Sequence, residues 1–307
     1  MSSTRLTLLT LFAMLSFAGN SVLCRLALKQ TSIDATSFTA IRLVSGALIL
    51  TLLVLYRRRS ASGTAERHTA HRAIGGSWSS ACALFVYAAG FSFAYVSLPT
   101  GTGALLLFGA VQATMILGGL WSGERLSARQ ITGFLLALVG LIVFMLPGLS
   151  APPLPGALLM LSAGFAWGIY SLRGRGVANA SNATAGNFLR AALLSIMLSA
   201  VLLAQQKLDE WGILYAVLSG AIASGIGYTV WYAALRGLTA TRAASVQLSV
   251  PVIAALAGVL FLHEPITMRL LLASVVILGG VGLVVVNKRS TCDSVNAEGK
   301  NGACHNV

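Results

Sequence analysis

The segment Asp34–Tyr56, DATSFTAIRLVSGALILTLLVLY, decides the class of fold. At ~1.5 Å rise per residue, a helix of this length covers the ~30 Å hydrocarbon core of a bilayer. Arg42 lies well inside the segment, within about one helical turn of the bilayer midplane. An arginine at that depth is costly unless it faces a protein interior or a wet cavity. The segment therefore predicts a transmembrane helix with a functional or structural cation near its centre.

The composition of the chain is typical of an integral membrane protein. Of its 307 residues, 56% are hydrophobic and only 9% are charged, whereas soluble domains carry about 25% charged residues. The net charge is +13, but the basic residues are scattered between apolar runs, so we predict no nucleic-acid partner and interpret them as orientation signals. The four cysteines show no CxxC spacing, and we expect free thiols and no metal site.

Hydropathy predicts ten apolar spans. Their length favours helices over the alternating strands of a barrel, which are about 10 residues long. The first span resembles a signal peptide, but its pattern recurs later in the chain, so we expect it to be retained. The predicted spans are residues 4–24, 34–56, 77–97, 101–121, 128–146, 154–173, 182–204, 211–235, 241–262 and 266–287.

The spans form two similar halves. One set of residues recurs at a fixed offset: Phe17-Ala18, Arg25 and Arg42 return as Phe165-Ala166, Arg173 and Arg190. A second set follows at a slightly shorter offset: Gly118, Glu124 and Gly140 return as Gly258, Glu264 and Gly280. The halves are residues 1–150 and 151–289, followed by a polar tail, 290–307, that we expect to be disordered.

Five spans per half is an odd number, so the second half enters the membrane from the opposite side. This predicts an inverted repeat with a pseudo-two-fold axis in the membrane plane. Lysine and arginine concentrate in alternate connections, which predicts that both termini lie in the cytoplasm. The predicted fold is an all-α membrane protein with ten transmembrane helices, arranged as two inverted five-helix repeats around a central cavity.

The sequence carries no familiar enzyme signature. It has no GxSxG elbow, Walker A loop, dinucleotide glycine fingerprint or paired His/Cys set, so we predict neither an enzyme nor a cofactor. All eight acidic residues fall in loops, at helix ends or in the tail. Proton-coupled transport generally uses a buried titratable group. We therefore predict transport down the gradient of the solute, without a buried carboxylate as proton relay.

Arg42 and Arg190 are the two permanently charged groups at depth. Either could hold the carboxylate of a substrate. Alternatively, each could join helices through backbone carbonyls or extend towards a membrane boundary. The sequence leaves both alternatives open.

Other deep side chains complete the candidate substrate site. The amides could hydrogen-bond an amino-acid backbone or join helices, and the aromatic residues could line a cavity for a flat apolar side chain or pack in the core. The amides are Asn20, Gln112 and Gln247, and the aromatic residues are Tyr87, Trp167, Tyr170, Tyr228 and Trp231. Aromatic residues near span ends are interpreted as interfacial belts: Tyr56, Trp78, Tyr95, Trp121 and Trp211.

Local signals mark several helix ends. Ser127 and Gln130 predict a capping box, and Thr267 predicts a second cap. Glu124 and Glu264 are interpreted as cap and loop anchors, with gating as the alternative. The glycine-rich stretch 220–227 could serve close helix packing or form a flexible gate.

Taken together, these residues resemble the EamA-type drug/metabolite transporter superfamily over residues 5–288. The resemblance rests on the repeat, on the arginines of spans two and seven, on Ala166-Trp167-Gly168, and on Gly123-Glu124 matched by His263-Glu264. In the second pair His263 replaces the glycine that is common in the family.

Within the superfamily the chain is most similar to the YddG-type exporters of aromatic and other neutral amino acids. The resemblance implies a cavity between the halves, alternating access and a small-molecule substrate, namely an amino acid; we expect a monomer. The alternative is an exporter of drugs or other small metabolites, and a remote one is a membrane enzyme or lipid-handling scaffold.

Overall fold

The computed structural model describes residues 3–60, 75–121, 123, 127–146, 151–174, 177, 179–235 and 246–286. Over these ranges all regular structure is helical. Eight helices are long and apolar enough to cross a membrane, and two shorter apolar helices follow, Ser249–Leu262 and Met268–Leu283. The predicted all-α membrane class is confirmed, while the count of ten crossings remains a prediction.

The helices follow the predicted spans closely. In chain order they are α1 Ser3–Gln30, α2 Ala35–Ser60, α3 Trp78–Tyr95, α4 Thr100–Trp121, α5 Ala128–Met145, α6 Leu154–Gly174, α7 Ala180–Val201, α8 Glu210–Val217, a π-helical segment Leu218–Ile226, α9 Gly227–Leu235, α10 Ser249–Leu262 and α11 Met268–Val286. The segments α8, π and α9 form one continuous run. A 3₁₀ turn, Leu203–Gln205, follows α7.

The most extensive helix contacts join the first half of the chain to the second. Helices α3 and α4 pack on α6, α2 packs on α7 and on the π segment, α1 packs on α9 and α10, and α5 packs on α11. Small residues allow the close approach. A methyl group on Gly164 would meet Ala110 and the Leu107 carbonyl of α4, and one on Gly168 would meet Thr114. The centre of the molecule is therefore built by helices from both halves.

Several predicted helix ends are confirmed. Ser127 and Gln130 form the capping box of α5, and the Thr267 hydroxyl accepts a hydrogen bond from the Leu270 amide at 3.1 Å. The predicted belt position of Tyr95 is wrong, because its side chain is fully buried and its hydroxyl donates to the Thr100 carbonyl at 3.2 Å. The belt residues Trp78, Trp121, Trp211 and Tyr56 are exposed. Glu124, the linker 61–74 and the tail 290–307 lie outside the described residues.

Asp34 joins two connections at one end of the molecule. Its Oδ1 accepts the amides of Thr36 and Ser37 at 2.9 and 3.0 Å, which caps α2. Its Oδ2 accepts the Lys207 amide at 2.8 Å, which ties the α1–α2 connection to the chain before α8. Burial opposes ionisation, but these hydrogen bonds to the charged form prevail and lower the pKa of Asp34 below its ordinary value.

We expect Asp34→Ala to destabilise the folded protein by about 1 kcal/mol at neutral pH, since it removes a helix cap. Because the folded-state pKa is lowered, this contribution is present above the unfolded-state pKa of 3.8 and is lost as the pH falls through the folded-state value. Thermal unfolding in detergent at a series of pH values would measure it. Asp34→Asn, which keeps an acceptor but does not titrate, is the control. An undiminished difference between wild type and Asp34→Ala at about pH 2.5, below the unfolded-state value, would contradict the assignment.

Candidate functional site

Arg42 lies at the centre of the helix assembly with only 1% of its surface exposed. Its Nη2 donates to the Tyr87 hydroxyl at 3.0 Å. The guanidinium carbon lies 4.8 Å from the ring centroid of Phe91 and 5.3 Å from that of Tyr87. These are cation–π distances, so neutral aromatic groups of α3 surround the charge.

Two nitrogens of this guanidinium make no hydrogen bond to the described residues. Nε and Nη1 of Arg42 are buried and have no hydrogen-bond partner among the described residues. A buried charge without partners is strongly unfavourable. Each of these N–H groups is suited to donate to a carboxylate oxygen, because a hydrogen bond between two charged groups is roughly twice as strong as a neutral one.

A polar network surrounds Arg42 and connects four helical elements. The Tyr87 oxygen also accepts a hydrogen bond from Asn20 Nδ2 at 3.3 Å, and the Tyr228 hydroxyl donates to it at 3.5 Å. Asn20 Oδ1 in turn accepts from the Ser219 hydroxyl of the π segment at 2.6 Å. The structure thus brings together four residues that the sequence singled out separately. We call Asn20, Arg42, Tyr87 and Tyr228 the central cluster.

Aromatic rings form the wall beside the central cluster. Trp167 of α6 lies 4.7 Å from Tyr87 and 4.8 Å from Tyr228 between ring centroids. A cavity of about 20 Å³ remains between these side chains. That is room for about one water molecule, so the space is contracted in this conformation. Its lining residues are Phe17, Asn20, Tyr87, Phe91, Leu107, Phe108, Trp167 and Tyr228.

Arg42 contacts two of these lining residues, Tyr87 and Phe91, but is not itself one of them. Three other predicted residues also lie outside this lining, as far as the described residues show. Gln112 is buried on α4, and its Nε2 has no partner there. Trp231 is buried and packs edge-on against Phe17 at 5.8 Å. Gln247 is half-buried just before α10. Their predicted contact with substrate remains a prediction.

Arg190 is not part of the central cluster, although it repeats Arg42 in sequence. Its Nη1 donates to the carbonyls of Gly75 and Gly186, each at 2.9 Å, and its guanidinium lies 5.8 Å from the Trp78 ring. It is only half-buried. This is the geometry of the helix-joining alternative, and the two arginines therefore have different surroundings.

A larger cavity lies at one end of the helix assembly, beside Tyr170. Its volume is about 250 Å³, and it is open to the outside. Arg173 Nε donates to the Ser80 hydroxyl at 3.1 Å, and Asn187 Nδ2 donates to the Tyr170 hydroxyl at 3.4 Å. The Tyr170 ring lies 5.5 Å from Trp167, so this cavity and the central cluster share an aromatic wall. Of its lining, only Tyr170 was predicted.

The other end is closed by a buried ion pair, which we call the latch. Arg25 Nε donates to Glu264 Oε1 at 3.0 Å. Arg25 Nη1 donates to the carbonyls of Tyr95 and Val96 at 2.7 and 2.9 Å, and Glu264 Oε2 accepts the Thr100 amide at 2.6 Å. The sequence predicted Glu264 as a loop anchor but missed Arg25. The repeat was the available signal, since both residues have counterparts in the other half.

Helix α3 connects the central cluster to the latch. Tyr87, Phe91 and Tyr95 are spaced four residues apart and therefore share one helix face. Their ring centroids are 5.5 and 4.8 Å apart in sequence order. Tyr87 contacts Arg42 at one end of this row, and the Tyr95 carbonyl accepts the latch arginine at the other.

The π segment packs closely against α2 at the level of the central cluster. Single π turns inside helices are frequent at functional sites. A methyl group on Gly220 would collide with the Arg42 carbonyl and with the Ser45 hydroxyl of α2. The packing interpretation of the glycine stretch is thus supported at Gly220, and the absence of a side chain lets the two backbones meet at the level of Arg42.

The sequence model of the EamA-like transporter family matches residues 5–146 and 154–286. The chain belongs to the EamA-like transporter family. The resemblance inferred from the sequence is therefore confirmed, and the chain is a multi-pass membrane protein of this transporter family.

The relatives of this EamA-like transporter range from close to distant. An uncharacterized Pseudomonas aeruginosa protein is 58% identical over 93% of the chain and 96% of its own length. A Salmonella typhimurium protein named "probable amino-acid metabolite efflux pump" is 28% identical over 62% of the chain and 69% of its own length. A crystal structure with 20% identity matches with a TM-score of 0.66 over 94% of the chain and all of its own length, which shows a shared fold.

We expect Gly220→Ala to destabilise the protein by about 1–3 kcal/mol, because the added methyl overlaps backbone that cannot easily move. Gly279→Ala is the matched control, since nothing lies within 4 Å of its added methyl. The control should be neutral or slightly stabilising. Thermal stability in detergent, measured by size-exclusion chromatography after heating, compares the two. Equal melting temperatures for both variants would contradict the close contact at Gly220.

Proposed function

We propose that this transporter exports amino acids, aromatic and other neutral ones, across the bacterial inner membrane by alternating access. The observation that carries the proposal is the central cluster: a buried arginine with two unused nitrogens, next to a wall of aromatic rings. The printed name of the Salmonella relative, an amino-acid metabolite efflux pump, supports the same class of substrate.

The proposed binding mode follows from the two parts of the site. The substrate carboxylate accepts a hydrogen bond from one of the two Arg42 nitrogens without a partner, Nε or Nη1. A flat side chain packs between Trp167 and the rings of Tyr87 and Tyr228, where offset aromatic stacking is favourable. Because the cavity holds only about 20 Å³ in this conformation, the rings must move apart when the substrate binds.

The proposed architecture has ten spans in two inverted five-helix repeats, residues 1–150 and 151–289. Two observations support it. The family match divides between residues 146 and 154. The helix contacts also keep their pattern when the halves are exchanged: α3 and α4 pack on α6, and their counterparts, the α8–α9 run and α10, pack on α1. With both termini cytoplasmic, the 250 Å³ cavity faces the cytoplasm and the latch faces the opposite side.

In this scheme the described conformation is open inwards and closed outwards. Substrate enters through the cavity beside Arg173, passes Tyr170 and Trp167, and reaches Arg42. Rocking of the halves around this site then separates Arg25 from Glu264 and opens the other end. The four described carboxylates, Asp34, Asp209, Glu210 and Glu264, all lie at connections or helix ends, so we propose transport down the solute gradient without a proton relay at Arg42.

Counterflow in proteoliposomes with a panel of labelled amino acids tests the proposal. Aromatic amino acids should exchange. Arg42→Gln should slow the exchange at least about tenfold, a factor that corresponds to about 1.4 kcal/mol. Lys29→Gln, which removes an exposed positive charge at the end of α1, should have no effect. If no amino acid moves, the proposed substrate class is wrong. Exchange of bulky organic cations instead would favour a drug exporter.

The latch should control access from the outer side. Cys24 is fully buried and directly precedes Arg25. In Glu264→Gln, the ion pair is lost, and a water-soluble methanethiosulfonate added outside should label Cys24 at least about tenfold faster. Labelling at the wild-type rate would show that the latch does not close the outer end. Lys29→Gln is again the control, and the background replaces the remaining cysteines with alanine at Cys82, Cys292 and Cys304.

A further inference from the structure

The central cluster has more hydrogen-bond donors than it can satisfy. Both Arg42 nitrogens without a partner are donors. The neighbouring acceptors are already engaged: the Tyr87 oxygen accepts from Arg42 and Asn20, and Asn20 Oδ1 accepts from Ser219. The central cluster therefore lacks hydrogen-bond acceptors, not donors.

The charge of the cluster is equally one-sided. Arg42 contributes one fixed positive charge next to Tyr87 and Phe91, which line the central cavity, and no carboxylate is among the lining residues. Glu264, at the latch, is already paired with Arg25. A ligand with one net negative charge would make the occupied site neutral.

From these two imbalances we infer that the preferred cargo is a net-anionic aromatic carboxylate, whose amino group is absent or uncharged, rather than a zwitterionic amino acid. The inference rests on the proposed function, since it takes the cavity beside Arg42 as the transport site. It keeps the site and the aromatic side chain of that function but changes the preferred substrate from the zwitterion to the anion.

An ammonium group would be poorly accommodated here. It sits on the carbon next to the carboxylate in an α-amino acid, so it would be held close to Arg42 and repelled by it. It would also need hydrogen-bond acceptors once water is removed. The Tyr228 hydroxyl is neutral, and the ring of Trp167 offers only a cation–π contact. Removing the ammonium relieves the repulsion and leaves the carboxylate contacts and the ring stacking intact.

Net charge also changes the transport cycle. Arginine stays protonated at any physiological pH, so Arg42 supplies no proton to neutralise the cargo. Each anion that crosses then moves one negative charge, and its flux responds to the membrane potential. A zwitterion would cross without moving net charge.

A series of three compounds with the same phenyl ring separates the contributions. 3-Phenylpropanoate carries the carboxylate alone, phenylalanine carries carboxylate and ammonium, and 2-phenylethylamine carries the ammonium alone. Calorimetric titration of the purified full-length protein in nanodiscs measures binding without interference from passive permeation. We expect 3-phenylpropanoate to bind at least about tenfold more tightly than phenylalanine, and 2-phenylethylamine not to bind.

Arg42→Gln should reduce 3-phenylpropanoate affinity at least about tenfold, while Lys29→Gln should not change it. If Arg42→Gln fails to fold, Tyr87→Phe provides a second variant. It keeps the charge but frees Nη2 as a third donor, so affinity for the carboxylate should be retained. In proteoliposomes without solute on the far side, an imposed potassium diffusion potential should change the rate of net 3-phenylpropanoate uptake but not that of net phenylalanine uptake.

The outcomes distinguish this inference from the proposed function. If phenylalanine binds and is transported at least as well as 3-phenylpropanoate, the preference for anions is overturned and the amino-acid exporter stands. If 2-phenylethylamine binds best, the charge argument is overturned. If none of the three compounds binds, the cavity beside Arg42 is not the transport site, and both proposals fail.

Discussion

The structure depends on keeping the guanidinium of Arg42 in the interior of a membrane protein, where the described residues supply no counter-charge. Desolvating Arg42 is unfavourable, and the surrounding groups offset only part of that penalty. Tyr87 supplies one hydrogen bond, and Phe91 and Tyr87 supply ring faces. Gly220 allows the π segment to lie directly against the backbone of Arg42, which excludes lipid from that side. In the proposed function, the same charge that demands a close-packed core also holds the substrate.

The central cluster exists only when the two halves of the chain are docked. Asn20, Arg42 and Tyr87 come from the first half, whereas Tyr228 and the neighbouring Trp167 and Ser219 come from the second. Neither half alone surrounds the charge. In the proposed function, substrate recognition and the relative position of the halves are therefore controlled by the same contacts, as a site that opens alternately to two sides requires.

The sequence predicted the features that follow from the depth of a residue in a span and from the repeat of the two halves. Arg42 was identified because its burial is unfavourable, Asn20 because a deep amide could hydrogen-bond a substrate or join helices, and Tyr87 and Tyr228 because deep aromatic rings could line a cavity. The sequence did not predict which side chains contact each other in the folded protein. Arg25 and Glu264 are far apart in the chain, and each alone is compatible with an ordinary loop. Tyr95 near a span end is equally compatible with a lipid interface or, as found, with a buried turn. Arg190 shows the limit of repeat reasoning, because a shared position in sequence does not impose a shared environment.

The row of rings on α3 has a thermodynamic consequence. Tyr87 contacts Arg42, and the carbonyl of Tyr95, two turns along the same rigid helix, holds the guanidinium of Arg25. In the proposed binding mode, a solute that displaces the Tyr87 ring acts on the same helix whose Tyr95 carbonyl accepts a hydrogen bond from Arg25. The proposed site and the ion pair are then linked, and linkage is reciprocal. The factor by which the bound solute shifts the proposed opening at Arg25 equals the factor by which rupture of that ion pair changes the affinity for the solute.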